Sequence, residues 1–455
     1  MRQRDIYKRA TILTMVAKLF DFGNALFNTQ DYKLVQEIII FFMEDLAMVN
    51  NYSSSTRQIL IVGSGVAGLS AAKAARNQDP EADIIMFGEE NRLPYYRLRL
   101  CDYIGKSLDV DTLEINKEEW FEKNRIRVEI SSKVTAIEPK ARKISINGKE
   151  YGYDSLILAT GSTPIMPPFK GRELSGVHTI WTCEDIVDIN RSLQNAKKAA
   201  VIGGGLLGLE AAHKICEMGI DVSLIEGMPR LLPKQLDEDG SQIFTRKVQS
   251  LGISVFCGKS VVGFEGDNNG HVAQVRMADD TLIEADVVIV SVGVAPNTAL
   301  FQNSGLSMDR FLNVNEKMET SIQDIYAAGD VASVNGKWFG LWTAASRQGQ
   351  VAGTNAAGGN AVYETTDIPY VLNTMGTRVV CSGDTGVIQS DTPEAAYEID
   401  QRIDKDQFAY SKLVFYKGLF VAYMLVGEPA KAFNKLRPLI NTSVSADTIN
   451  NILYK

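Results

Sequence analysis

Gly63-Ser-Gly65-Val-Ala-Gly68 follows the apolar run QILIV at 58–62, and Gly203-Gly-Gly205-Leu-Leu-Gly208 follows KAAVI at 198–202. Each turn stands between a strand-like run and an alanine-rich stretch that favours a helix. There the first glycine permits a tight turn, the second admits a pyrophosphate to the backbone, and the third lets the helix pack on the strand. Two such junctions predict two bound dinucleotides. The predicted contacts are Gly63, Ser64, Gly65, Val66, Ala67 and Gly68 in the first turn, and Gly203, Gly205, Leu206, Leu207 and Gly208 in the second.

An acidic residue follows each turn at the end of the next apolar run. Glu89 closes ADIIMFGEE and Glu226 closes IDVSLIE, each about 20 residues beyond its third glycine. A carboxylate at this position accepts hydrogen bonds from ribose hydroxyls and repels a 2′-phosphate. The second site is therefore predicted to prefer NADH to NADPH, although Arg230 is close enough in sequence to weaken that preference.

Composition favours a large enzyme rather than a nucleic-acid or membrane protein. The chain has 455 residues, which is too long for a single core, and its net charge of −8 disfavours nucleic acid as a main partner. The most apolar run, IIIFFM at 38–43, is flanked by acidic residues and is too short to span a bilayer. Without a signal-peptide pattern, a cytoplasmic location is expected.

The five cysteines form neither a CxxC nor a CxxxxC pattern, so no metal site and no dithiol centre of those spacings is predicted. Four of them lie in apolar or turn contexts typical of buried spectator thiols. Cys101 is the one whose redox activity the sequence leaves open.

Four regions are expected along the chain. Residues 1–56 have two stretches of helical periodicity and a polar linker, which predicts a helical extension. The two turns lie in units of the same plan, so an NAD(H)-binding domain at 164–289 is predicted to interrupt an FAD-binding domain at 57–163 and 290–360. Residues 361–455 form a small C-terminal α+β domain. The expected fold class is α/β, with two Rossmann-like domains.

After the inserted domain, the chain is expected to return to the FAD-binding domain at TSIQDIYAAGDVAS, where an apolar strand is followed by Gly329-Asp330. A buried carboxylate at Asp330 suits a flavin ribitol hydroxyl. The following stretch, LWTAASRQGQVAGTNAAG, is predicted to form a helix that begins near Trp342 and Thr343. Its N-terminus would stabilise negative charge on the reduced flavin ring.

Together the motifs GSGVAG, ATGSTP, GGGLLGLEAA, VGVAPN and YAAGDVA, within residues 57–360, resemble the pyridine nucleotide-disulfide oxidoreductase superfamily of flavoproteins. LPYYRLRL at 93–100 and RLLPKQLD at 230–237 look most like NADH:rubredoxin reductases and the flavin portion of NADH-dependent nitrite reductases. The resemblance implies FAD and NADH as cofactors and hydride transfer from NADH C4 to flavin N5.

The resemblance also implies roles for individual residues. Glu210 would contact the nicotinamide carboxamide, Arg97 would approach the FAD, and the backbone of Val134 would contact adenine. Further cofactor contacts are implied by the motifs ATGSTP and VGVAPN, at Ala159, Thr160, Gly161 and Gly293.

The electron acceptor is not specified by any motif. In the family, reductases of peroxide, oxygen and CoA disulfides carry a single cysteine where this chain has Leu98, and ferredoxin reductases carry a lysine where it has Asp102. We therefore expect an NADH oxidoreductase that passes electrons to a small iron protein such as rubredoxin. An NADH oxidase, a flavin component serving nitrite reduction, and an NADH-responsive redox-sensing protein remain alternatives, as do monomer and homodimer.

Overall fold

The computed structural model describes residues 56–364, 369–383 and 397–454. Apart from Thr56 and Arg57, these residues fall within the unit Gln58–Lys455. The helical extension predicted for residues 1–56 lies, but for its last residue, outside the described residues, so it stays a prediction.

The strands of the described chain are numbered in order: β1 Gln58–Val62, β2 Asp83–Phe87, β3 Ile126–Glu129, β4 Val134–Glu138, β5 Lys143–Ile146, β6 Lys149–Gly152, β7 Ser155–Leu158, β8 Ser162–Pro164, β9 Val177–His178, β10 Lys198–Ile202, β11 Asp221–Glu226, β12 Ser254–Cys257, β13 Val261–Gly266, β14 Val272–Met277, β15 Leu282–Glu284, β16 Val287–Val290, β17 Val294–Pro296, β18 Leu312–Val314, β19 Ile325–Ala327, β20 Ala332–Val334, β21 Tyr370–Thr374, β22 Thr377–Ser382, β23 Tyr397–Asp404, β24 Ala409–Tyr416 and β25 Leu419–Val426.

The α-helices of the described chain are α1 Val66–Gln78, α2 Val110–Leu113, α3 Glu118–Lys123, α4 Cys183–Leu193, α5 Leu206–Glu217, α6 Glu238–Ser250, α7 Trp342–Ala356, α8 Phe433–Leu436 and α9 Ala446–Leu453. A 3₁₀ helix spans Arg97–Tyr103. None of the described helices is long and apolar enough to cross a membrane.

Two parallel sheets carry the two glycine turns. The first has the strand order β19-β7-β1-β2-β3, and the second has the order β12-β11-β10-β16-β9. In both, the strand before the turn is central and is buried apart from its first residue, as parallel sheets covered on both faces require. Since β19 pairs with β7 after the second sheet is complete, the second sheet is inserted between two parts of the first. The predicted α/β fold class with two Rossmann-like units is confirmed; the domain boundaries remain predictions.

The C-terminal strands form a separate antiparallel sheet of order β21-β22-β25-β24-β23, with α8 and α9 after it. One face of this sheet shares a hydrophobic core with α5 and α6 of the second unit. A buried ion pair joins them: Lys412 Nζ of β24 lies 2.8 Å from Asp237 Oδ2, and Tyr410 donates to the same oxygen. Asp237 also caps α6 by accepting from the Gly240 N–H.

Helices α1 and α7 touch backbone to backbone. A Cβ on Gly349 would stand 2.2 Å from the Ala67 carbonyl oxygen, and one on Gly353 would stand 2.0 Å from that of Ala71. The hydroxyls of Ser70 and Ser346 lie 2.9 Å apart across the same contact. Only glycine at both α7 positions permits this approach, which fixes where α7 begins relative to the first glycine turn.

Replacement of Gly353 by alanine should destabilise the protein by about 1–3 kcal/mol, because the added methyl group meets backbone rather than a flexible side chain. Differential scanning calorimetry should record this loss as a lower Tm. The matched control is Gln350→Ala on the exposed face of the same helix. Equal Tm values for the two variants would contradict the proposed importance of the contact.

Candidate functional site

The first glycine turn leaves an open helix N-terminus beside β1. Gly63 has φ +112°, and a Cβ on Gly68 would stand 2.0 Å from the Gly63 carbonyl oxygen. Gly65 is the N-cap of α1, where no described side chain caps the helix. A Cβ on Gly65 would meet no described atom within 4 Å. These uncapped N–H groups and the open space in front of them fit a phosphate group.

The other predicted residues of this turn shape its surroundings. Val66 begins α1, and Ala67 is buried where its carbonyl meets Gly349 of α7. Ser64 lies against Gly88 at the end of β2, where a Cβ on Gly88 would stand 2.5 Å from the Ser64 hydroxyl.

The second glycine turn has the same geometry. Gly203 has φ +114°, and a Cβ on Gly208 would stand 2.1 Å from its carbonyl oxygen. Gly205 is the N-cap of α5, again uncapped by any described side chain and open in front. Leu206 and Leu207 are the first two residues of that helix. This turn is therefore a second place where a pyrophosphate fits.

Glu226 is oriented at the second turn by the backbone. Its Oε2 accepts from the Gly204 N–H at 2.7 Å, and its Oε1 accepts from the Met228 N–H at 2.7 Å. Both bonds hold the carboxylate beside the glycine turn, with each oxygen keeping a free lone pair. This placement suits a pair of ribose hydroxyls.

Glu89 is placed differently from Glu226. It is exposed beyond Gly88 and pairs with Lys133 at 2.6 Å. Its neighbour Glu90, which the sequence analysis did not single out, accepts from the Tyr95 hydroxyl at 2.7 Å and binds the guanidinium of Arg97. Both residues end the same FGEE segment, so position alone could not separate their roles.

Arg97 is held at the start of the 3₁₀ helix. Besides Glu90, its guanidinium binds the Trp181 carbonyl and lies over the rings of Tyr95 and Trp181, 5.0 and 5.2 Å from their centroids. Its side chain is only half-buried. Its positive charge favours the ionised form of the Asp330 carboxyl and so lowers the pKa of that group.

Asp330 is half-buried, three residues after β19 ends. Ser162 donates to its Oδ2 at 2.7 Å, and the preceding Gly329, with φ +82°, donates its N–H to Gln348 Oε1 at 2.8 Å. Burial raises the pKa of the Asp330 carboxyl, although Ser162 and Arg97 oppose the shift. A half-buried carboxylate that is partly desolvated fits a hydroxyl-bearing ligand. Ser162 was not predicted, yet it belongs to the quoted motif ATGSTP.

Helix α7 packs against Gly329, the residue before Asp330. Trp342 begins the helix and stacks on Tyr96 with ring centroids 6.1 Å apart, while Thr343 is exposed. The N-cap, Leu341, offers no side-chain cap. The unpaired N–H groups and the helix dipole make this end attractive to negative charge.

The remaining predicted residues lie in the connections after β7 and β16 and on β4. Gly161 has φ +67° and Gly293 has φ +109°, and a Cβ on either would meet no described atom within 4 Å. Ala159 follows β7 and donates its N–H to the Val62 carbonyl at 2.8 Å, and the Thr160 hydroxyl donates to the Asn297 carbonyl at 3.0 Å. On β4, Val134 is buried.

Glu210 lies on α5 in an open cavity of about 990 Å³, between the 3₁₀ helix and the C-terminal sheet. Burial, reinforced by the negative charge of Asp102, raises the pKa of its carboxyl to about 7 in spite of Lys214. The carboxyl therefore exchanges a proton near neutral pH, which is the range useful for catalysis.

Cys101 lines the same cavity but is 3% exposed. Burial, together with the negative charges of Glu210 and Asp102, raises the pKa of its thiol. A reactive cysteine needs the opposite shift. Leu98, one helical turn earlier, is 59% exposed. All five cysteines are free, and among the described residues no group of three or more His, Cys, Asp or Glu side chains is placed to hold a metal ion.

Comparison with known proteins identifies a family that this chain matches. A family model described as pyridine nucleotide-disulphide oxidoreductase matches residues 57–349. The NADH-rubredoxin oxidoreductase of Clostridium acetobutylicum is 35% identical over 396 residues, which cover 87% of this chain and 97% of the relative. The crystal structure of NADH:rubredoxin oxidoreductase from that organism superposes with a TM-score of 0.72 at 33% identity, covering 87% of this chain and 100% of that one.

A second relative is longer than this chain. The nitrite reductase of Bacillus subtilis is 30% identical over 399 residues, which cover 87% of this chain and 48% of the relative. The chain thus spans about half the length of that protein. Both relatives agree with the resemblance inferred from the motifs, which is confirmed: the chain belongs to the pyridine nucleotide-disulphide oxidoreductase family and is an FAD-dependent NAD(P)H oxidoreductase.

Proposed function

We propose that this protein passes electrons from NADH, through FAD, to a small redox protein of the rubredoxin type. The observation that supports the proposal is a combination of features: the chain has two glycine turns open enough to bind dinucleotides, and the thiol of Cys101, which lies between them in the sequence, is unsuited to redox chemistry. Cys101 is buried with a raised pKa, and Leu98 occupies the position where related thiol-dependent reductases carry their cysteine. The match to nearly the whole of an NADH-rubredoxin oxidoreductase supports the same acceptor.

Different residues of the chain would bind FAD and NADH. The first turn and Asp330 would hold FAD, with the uncapped start of α7 facing the ring. Bound FAD supplies the ability to accept a hydride and release single electrons. The second turn and Glu226 would hold NADH, and Glu210 would orient its nicotinamide.

Service as a flavin component in nitrite reduction is a second candidate. The observation that favours it is the match of 87% of this chain to about half of a nitrite reductase. In that case the nitrite-reducing part would have to come from another polypeptide.

The acceptor can be identified by stopped-flow spectroscopy of the NADH-reduced protein. We expect rapid flavin reoxidation on mixing with rubredoxin and slow reoxidation in air-saturated buffer. Fast reaction with oxygen would identify an oxidase instead, and a long-lived reduced complex with neither acceptor would favour the redox-sensing alternative. As a control, Cys101→Ser should retain the rubredoxin rate; a collapse of that rate would restore a thiol mechanism.

Glu226→Ala should narrow the preference for NADH over NADPH by about tenfold, equal to ~1.4 kcal/mol. The variant loses an acceptor for the ribose hydroxyls and a charge that repels a 2′-phosphate. The ratio of the two kcat/KM values measures the effect. Glu217→Ala, an exposed carboxylate of the same unit, is the control. An unchanged ratio in Glu226→Ala would remove this residue from the ribose site.

The rate of flavin reduction by NADH should rise with pH through an apparent pKa near 7. Glu210 loses its proton in this range, and its carboxylate then stabilises the positive charge that the nicotinamide acquires. Glu210→Gln keeps the shape of the protonated form, so its rate should be low and independent of pH between about 6 and 8. The same pH profile in both proteins would assign the titration to another group.

A further inference from the structure

We propose that a surface aromatic patch, formed by the exposed Arg310, Lys337 and Trp338 and the half-buried Phe311, is the docking surface for the electron acceptor. The partner it fits is a small acidic protein with a one-electron redox centre. This inference rests on the proposed function and adds to it the place where the acceptor binds.

Trp338 is the centre of the patch and is held rigidly although it is 37% exposed. Its indole Nε1 donates to the Asp330 carbonyl at 3.0 Å, and its ring stacks on Phe311 with centroids 5.3 Å apart and planes 20° apart. The ring also lies over Gly340, where a Cβ would stand 2.4 Å from it. A large apolar ring costs free energy to hold in water, so a rigid exposed tryptophan is typical of a preorganised binding surface.

The neighbouring turn fixes the approach to this ring. Val334 and Lys337 exchange both backbone hydrogen bonds across Asn335 and Gly336. The φ angles of those two residues are +48° and +78°, which is the tight Asn-Gly hairpin geometry. Lys337 and Trp338 therefore leave the hairpin at a defined position.

The charge on the patch is positive and uncompensated. Arg310 lies over the Phe311 ring, 5.4 Å from its centroid, and donates to the Val294 carbonyl. Both Arg310 and Lys337 are exposed, and neither has an ion-pair partner among the described residues. The exposed acid beside them, Asp309, faces Asn313 instead. On a chain of net charge −8, such a patch selects an acidic partner by local complementarity.

The position of the patch suits electron transfer. The indole of Trp338 donates a hydrogen bond to the backbone of Asp330, the half-buried carboxylate proposed to hold FAD, and Trp338 stands four residues before the start of α7. Electron-transfer complexes are weak and bury under about 1,200 Å², so a patch centred on two rings and two cations is large enough. Tryptophan and arginine are also the residues on which interface energies concentrate.

The test measures reoxidation of the NADH-reduced protein by increasing concentrations of an acidic rubredoxin in a stopped-flow instrument. Phe311→Ala and the double variant Arg310→Glu/Lys337→Glu are compared with wild type. We expect the second-order rate constant to fall about tenfold in each, and the double variant to lose much of the dependence on salt. Reduction by NADH and reoxidation by menadione, a small uncharged acceptor, should keep their wild-type rates.

Lys149→Glu is the matched control, since Lys149 is exposed on β6 and has no ion-pair partner among the described residues. If both patch variants react with rubredoxin as fast as this control, the docking surface is wrong. An equal slowing with rubredoxin and menadione would also overturn it, because the damage would then lie at the flavin. If the wild-type protein itself fails to reduce rubredoxin, the result contradicts both the proposed acceptor and the proposed docking surface.

Discussion

The contact between α1 and α7 is the constraint on which the candidate flavin site depends. Gly349 and Gly353 let α7 lie directly on the backbone of Ala67 and Ala71, just after the first glycine turn. Neither helix has a side-chain cap at its N-terminus, and in the proposed function one N-terminus would bind a phosphate and the other would face the flavin ring. Because the contact is between backbones, neither N-terminus can shift along the other without steric overlap. This single contact between two helices therefore fixes the positions of two helix N-termini, each of which carries a positive potential.

The carboxylates of the site are controlled by different means. Backbone N–H groups hold Glu226 in an orientation suited to hydroxyl groups, as charge-assisted hydrogen bonds do. Burial instead raises the pKa values of Asp330 and Glu210, and Asp102 adds to the effect at Glu210. Burial also raises the pKa of the Cys101 thiol, and the negative charges of Glu210 and Asp102 add to that shift. An environment that makes Glu210 useful near neutral pH therefore also makes the neighbouring thiol unreactive.

The sequence predicted what depends on local rules. The two glycine turns, the central strands and the start of α7 follow from spacing, and the structure has them where they were expected. The hydrogen-bond partners of individual side chains were not predictable in this way. Glu90 rather than Glu89 binds Arg97, Ser162 binds Asp330, and Trp338 lies against a residue eight positions earlier. Such partners are chosen by the folded geometry, and a single sequence contains no periodic signal for them.

The pairing of Asp237 with Lys412 has a consequence for how this architecture can be recombined. The ion pair is buried between the second unit and the C-terminal sheet, and removal of either side chain would leave the other charge in an apolar core without this ion pair. A chimera that takes the C-terminal sheet from a relative with another residue at position 412 would remove the lysine that pairs with Asp237. The inserted unit and the C-terminal sheet therefore form one exchangeable module, although the chain between them returns to the first sheet.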